Sequence, residues 1–329
     1  MDWLTILSTT VHAAIGWETV VYGLAAIGVN IHFGYTGLLN FGQAAFMAVA
    51  GYGLAVTVVV FNLPFVVGVL VGLAAAALLA LLMGIPTLQL RADYLAIVTI
   101  AAAEIIRLVF RSVYFKDIFG GSDGRRGFNG DFYAMNFLYD PGRYGIGPFG
   151  FDERTMWLLT VGWAVVLLCC LVVFLLMRSP WGRVLKAIRE DEDAVRALGK
   201  NVFAYKMQSL MLGGIIGCFG GFFYGLYNGS VQPDVFGTEM TFFAYTIVIL
   251  GGAARVFGPV VGAMIFWVLF VFVGNLLAEL VANGYIPFMT NIQVGPVRYA
   301  LVGLGFILLL VARPQGIFGD KREIAIDAR

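Results

Sequence analysis

Apolar runs of about 20 residues recur along the whole chain, parted by short polar breaks, and within each run the apolar residues are continuous rather than alternating. A helix needs roughly 20 such residues to cross a bilayer core. A membrane barrel would instead read as alternating strands of about ten residues. The pattern therefore predicts an all-α polytopic membrane protein with about nine crossings in a single transmembrane domain, 1–329. The expected crossings are residues 14–31, 38–61, 64–88, 94–113, 155–177, 207–227, 241–254, 259–281 and 297–311. The seventh is short. Its run, ILGGAARVFGPVVG, carries Gly251-Gly252 and Gly258-Pro259, which predicts a broken or re-entrant element near 241–258. Short segments interrupted by glycine are a sequence pointer to a transport pathway.

One long charged stretch interrupts the apolar chain. Residues 178–206, RSPWGRVLKAIREDEDAVRALGKNVFAYK, hold seven basic and four acidic residues in 29 positions. Trp181, Val184, Leu185, Ile188, Val195 and Leu198 recur there at near-helical spacing, which predicts an amphipathic helix or helix pair outside the lipid. Pro180-Trp181-Gly182 and Gly199 punctuate its ends. Either it offers a docking helix to a soluble partner, or it is a solvated loop.

Composition agrees with a membrane chain. Sixty per cent of the residues are hydrophobic, 12% are charged, and the mean hydropathy is +0.88; a soluble domain has about 25% charged residues. The net charge of +1 gives no sign of a nucleic-acid partner. Basic residues concentrate on the inner side of a membrane. The stretch 178–206 has a surplus of three positive charges, and the tail 312–329 adds Lys321, Arg322 and Arg329. With nine crossings these segments share a side with Arg91 and Arg255, which places the C-terminus in the cytoplasm. The loop 114–154, with five basic and six acidic residues, then lies outside. Its glycines and prolines (GGSDGRRGFNG, DPGRYGIGPFG) favour turns over a packed domain. The first residues, MDWLTIL, read as an uncleaved lead-in to the first crossing.

Polar groups at membrane depth narrow the choice of function. Glu104 falls near the middle of the fourth crossing, and Arg107 follows one turn later on the same face. An ionisable residue at that depth is costly and marks a functional position, unless the pair is structural. Asn30, Thr36, Asn40 and Gln43 bracket the first turn between crossings; they line a polar path or satisfy a helix break. Cys169, Cys170 and Cys218 lie in apolar runs without metal-type spacing, and His12 and His32 are too far apart for a histidine metal site. The sequence contains no GxxxxGK[ST] phosphate loop and no HExxH or GxSxG motif, so neither nucleotide hydrolysis by that route nor an enzyme is expected.

Five segments, in order, resemble the M-type permease subunits of bacterial branched-chain amino acid ABC transporters. They are GYTGLLNFGQAAF at 34–46, LRADYLAIVTIAAAEIIRLV at 90–109, WGRVLKAIREDEDAVRALGKNVFAYK at 181–206, LGGAARVFGPVVGA at 250–263 and ARPQGIFG at 312–319. The family often has SLGHAAF where this chain has NFGQAAF, so Gln43 replaces a histidine.

The resemblance implies a multi-pass permease of the bacterial inner (plasma) membrane, in contact with lipid, that imports leucine, isoleucine and valine. Its implied partners are a homologous H-type permease, two cytoplasmic ATPase subunits that bind the ATP, and an extracytoplasmic solute-binding protein. No cofactor is implied on this chain. The stretch 178–206 is similar to the family's coupling loop. Glu190, Asp191, Glu192, Asp193, Ala194 and Gly199 are implied as its ATPase contacts. Asn30, Thr36, Gln43, Glu104 and Arg107 remain candidates for the translocation path. The alternative reading is a urea or short-chain amide permease of the same architecture. A carrier using Glu104 as an ion relay is a rival from another class.

Overall fold

In a bilayer the backbone has no water to bond to, so each apolar run satisfies its own N–H and C=O groups as a helix. The computed structural model describes residues 3–90, 92–137, 142, 144–145, 150–287, 289–313 and 315–319. Arg91, most of DPGRYGIGPFG, and Lys321, Arg322 and Arg329 lie outside the described residues.

The lead-in expected at the start is a helix of its own, α1 (Trp3–Ile15), set off from α2 (Trp17–Val29) by extended backbone at Gly16. A π-helical turn, Asn30–Tyr35, continues α2. α3 (Gln43–Val59), α4 (Phe65–Thr87) and α5 (Ala92–Arg111) follow. The loop beyond α5 forms α6 (Lys116–Phe119) and α7 (Gly130–Ala134). Next come α8 (Glu153–Arg178), α9 (Pro180–Glu190), α10 (Glu192–Ala197) and α11 (Val202–Asn228). α12 (Thr238–Gly251), α13 (Gly258–Ala282) and α14 (Asn291–Ala312) complete the described chain.

Among the described residues, six helical stretches are long and apolar enough to cross a membrane, the 33-residue stretch Trp3–Tyr35 counting as one. α3 and α12 are apolar but shorter, at 17 and 14 residues. α5 carries Asp93, Glu104, Arg107 and Arg111. The protein is thus all-α and multi-pass. α3 starts later than the expected 38, because residues 38–42 run without helix into the bundle.

α11 occupies the middle, against α2, α3 and α4. A Cβ at Gly28 would collide with the Gly213 carbonyl, and one at Gly221 with that of Met47. Glycines at these crossings let the backbones approach closely, which is how helices associate where lipid removes the hydrophobic drive. The start of α2 meets the end of α11, where Trp17 stacks on Tyr227 at 4.2 Å. That end of the bundle is covered by 112–137, so we name it the cap end; α9 and α10 sit at the other, the charged end. The cap packs more tightly than its turn-rich sequence predicts. β1 (Arg125–Arg126) pairs antiparallel with β2 (Ser230–Val231), Phe128 and Phe132 are buried, and burial pushes the Tyr133 phenol up to about 12.

Candidate functional site

Four of the five segments that carry the resemblance meet at the charged end, around the turn Asn30–Tyr35. Asn30 is buried and both ends of its amide are used. Nδ2 donates to the Arg255 carbonyl at 2.9 Å, and Oδ1 accepts from the Ala254 N–H at 2.8 Å. These bonds hold the joint between α12 and α13, where Gly252 (φ +101°) and Ala254 (φ +57°) adopt the left-handed backbone that stops a helix. Pro259, at the first turn of α13, restarts it. The break expected near 241–258 therefore falls at residues 252–257. The segment after α14 docks on the same joint: Ile317 N–H donates to the Leu250 carbonyl at 2.9 Å and Phe318 N–H to that of Gly251 at 3.3 Å. A helix end leaves its last carbonyls without partners, and the IFG stretch supplies two.

The charged stretch is a helix pair. Pro180 opens α9, whose buried face is Gly182, Leu185 and Ile188, continued by Val195 of α10. Leu198, grouped with this face by periodicity, instead projects outward at 79% exposure. The Asp191 carboxylate caps α10, accepting from the Ala194 N–H at 3.0 Å. Arg196 bonds to Asp193 at 2.7 Å and to Glu192 at 2.8 Å, and Glu192 also pairs with Lys206. The Arg196 pairs are exposed and contribute at most about 1 kcal/mol each, so the outer row organises a surface more than it stabilises one. Glu190 and Ala194 are exposed on this surface. Gly199 (φ +76°) ends α10 with open space around it. Arg189, an exposed residue, reaches over to donate to the Gly34 carbonyl at 2.6 Å, while Trp181 Nε1 donates to Gln208 at 2.8 Å. α9 is thereby tied both to the turn after α2 and to the start of α11.

The remaining predicted residues sit deeper. Thr36 Oγ1 donates to the Ile31 carbonyl at 2.9 Å and lies 2.7 Å from Ser209 Oγ, linking the turn to α11. Gln43 is fully buried at the start of α3, in a slot that exists because Gly217 has no side chain. Thr241 and Thr99, which sequence reasoning did not single out, organise this start: Ala44 N–H donates to Thr241 Oγ1 at 2.9 Å, and Phe41 N–H to Thr99 Oγ1 at 3.0 Å. Tyr245 donates to the Asn40 carbonyl at 2.9 Å.

Glu104 and Arg107 form a two-bonded ion pair, with Arg107 Nε and Nη2 at 2.9 and 2.6 Å from the carboxylate. The structure adds Asp234, which takes Arg107 Nη1 at 2.7 Å and Arg111 Nη1 at 3.3 Å. Two acids and two bases thus bridge α5 to the turn before α12. Asp234 lies 127 residues from Arg107 in sequence, and only its place after Pro233 in a short turn hinted at it.

Comparison with known proteins follows this geometry. Residues 13–312 match the family model described as branched-chain amino acid transport system / permease component. A high-affinity branched-chain amino acid transport system permease protein LivM of Salmonella typhimurium is 30% identical over 318 residues, 94% of this chain and 70% of that protein. A probable branched-chain amino acid transport permease protein LivM of Methanocaldococcus jannaschii is 27% identical, covering 92% of this chain and 91% of that one. A high-affinity branched-chain amino acid transport system permease protein LivH of Salmonella typhimurium is 24% identical, over 91% of each chain.

Proposed function

The chain belongs to the family of branched-chain amino acid transport permease components, and we propose that it is the M-type permease of an ABC importer for leucine, isoleucine and valine. In this reading a homologous permease completes the translocation path, two separate ATPases drive it, and a binding protein delivers solute at the cap end. The charged end faces the cytoplasm, as its surplus of basic residues favours. α3, α5 and α12 complete nine crossings.

The observation that carries the reading is the convergence at the charged end. An outward row, Glu190 to Ala194 with Gly199, sits on a helix pair that bonds through Arg189 to the turn Asn30–Tyr35. That turn bonds in turn through Asn30 to the broken joint of α12 and α13. A push on α9 and α10 has a bonded route into the joint of two spans, α12 and α13. ATP binding draws the ATPases together, and α9 and α10 move with them. The spans then reorient between outward and inward states. Nucleotide does this work because it binds the two states unequally; a ligand with equal affinity for both shifts nothing. Asn30, Thr36, Gln43, Glu104 and Arg107 are the path residues of this proposal, with the Glu104–Arg107–Asp234 group toward the cap end.

The test is uptake of labelled leucine by vesicles carrying this chain with its four partner subunits, with urea as competitor. The expected result is uptake that requires ATP and ignores excess urea. ATP-driven urea uptake without leucine uptake would move the substrate to urea or a short amide. Leucine uptake that survives removal of the ATPases would return the ion-coupled carrier.

A further inference from the structure

Two cavities open at the charged end on either side of the Glu192–Lys206 pair. The outer one, about 690 Å³, is polar and runs under α10 to Lys200 and Phe203. The inner one, about 280 Å³, lies between α9, α5, the turn after α2 and the start of α11. Both are lined by Leu88, Leu90, Glu192 and Lys206. The inner volume falls just below the roughly 300–1,000 Å³ in which proteins hold drug-sized molecules.

Its lining is chemically specific. Leu38, Leu88, Leu95 and Ile188, each at least nine-tenths buried, form one apolar wall, and Thr36 and Arg189 add polar groups to the lining. A carboxylate (Glu192) and an ammonium (Lys206) stand together at its edge, the lysine only 12% exposed and the glutamate 36%. A paired anion and cation beside an apolar pocket is the complement of a small zwitterion with an apolar side chain. The solute inserts between the two by opening their salt bridge: its ammonium takes the place of Lys206 on Glu192, its carboxylate takes Lys206, and its side chain displaces water from the leucines. A lone cation or anion site would not need the apolar wall, and a neutral apolar ligand would not need the ion pair.

We propose that this inner cavity is a second binding site, for a small amino acid with an apolar side chain arriving from the side on which α9 and α10 lie. The identity of that ligand rests on the function proposed above; the cavity and its ion pair do not. Its walls come from the α9–α10 pair and from the spans that pair must move, so a bound amino acid fastens one to the other. Solute accumulated inside then holds the permease in one state and slows further import. A ligand that prefers one state shifts the equilibrium by its difference in affinity.

The test uses the full chain. Photo-leucine, a diazirine analogue, is expected to label peptides carrying Leu88, Leu95 or Ile188, with unlabelled leucine protecting them. Absence of label from all three peptides, or label there that leucine does not protect, overturns the proposal. Leu95→Phe and Leu38→Phe fill the cavity from two different elements, and each should weaken leucine binding to the ATPase-free permease about tenfold or more.

In the assembled transporter, preloading vesicles with leucine should slow uptake about fivefold or more in the native protein. Neither variant should be slowed, although both import into empty vesicles at the native rate. Unchanged binding in both variants, or native uptake indifferent to preloading, contradicts the site. Failure of uptake into empty vesicles would count against the transport reading alone, since labelling and binding are read without it.

Discussion

α11 and α14 are both long and apolar, with mean hydropathies of 1.6 and 2.0 over their most apolar stretches, yet 72% of the first stretch is buried and only 11% of the second. Their glycines explain the difference. Those at 213, 214, 217, 220 and 221 of α11 each stand where an added Cβ would strike a neighbouring helix, whereas Gly303 and Gly305 of α14 have nothing within 4 Å. Glycine count therefore does not separate an inner helix from an outer one; what matters is whether glycines recur every three or four residues along one face. On α11 they admit α2, α3 and the side chains of His32, Phe46 and Gln43. On α14 the exposed Leu301, Leu304, Ile307 and Leu308 form an apolar face suited to lipid or to a partner span.

Substitutions that exchange the properties of the two helices sharpen this contrast. Gly217→Leu should have the largest effect, since its side chain must occupy the place of the Gln43 amide. Overpacking at so close a crossing should destabilise by more than about 3 kcal/mol, read as loss of monodisperse protein in detergent; Gly303→Leu should leave the elution profile unchanged. Asn30→Ala comes next. It strands the Ala254 N–H and the Arg255 carbonyl and should cost about 2 kcal/mol, measured by chemical unfolding in micelles. Glu104→Gln follows at about 1 kcal/mol or less, because the pair is partly exposed; a much larger loss of stability would mean that the four-charge group anchors the fold. Smallest is Gly303→Ala, which should stabilise by about 0.5 kcal/mol in the same assay, since an exposed helix interior favours alanine.

Features with a local cause were legible in the chain. Bilayer thickness imposes the apolar runs, helical spacing marked α9 and α10, and Gly251-Gly252 with Gly258-Pro259 marked the broken joint. Partnerships between distant segments were not. Asn30 reaches Ala254 and Arg255 across more than 220 residues, and Arg189 reaches Gly34 across 155. No periodicity records such bonds, because each depends on how whole helices stack. Leu198 misled for a related reason: α10 ends at Ala197, so the helical spacing no longer applies to it. The buried cap was missed because Phe128 and Phe132 stand among glycines that read as turns.

The bonded route from α9 to the spans can be cut at one place. Arg189→Gln shortens the arm that reaches the Gly34 carbonyl and leaves the outward row from Glu190 to Gly199 unaltered. ATP hydrolysis and leucine uptake should be measured together in vesicles holding this variant with its partner subunits. Hydrolysis that continues near the native rate while uptake falls about tenfold is the expected result, an engine running without its load. Uptake and hydrolysis both preserved would contradict the route from α9 through the turn Asn30–Tyr35.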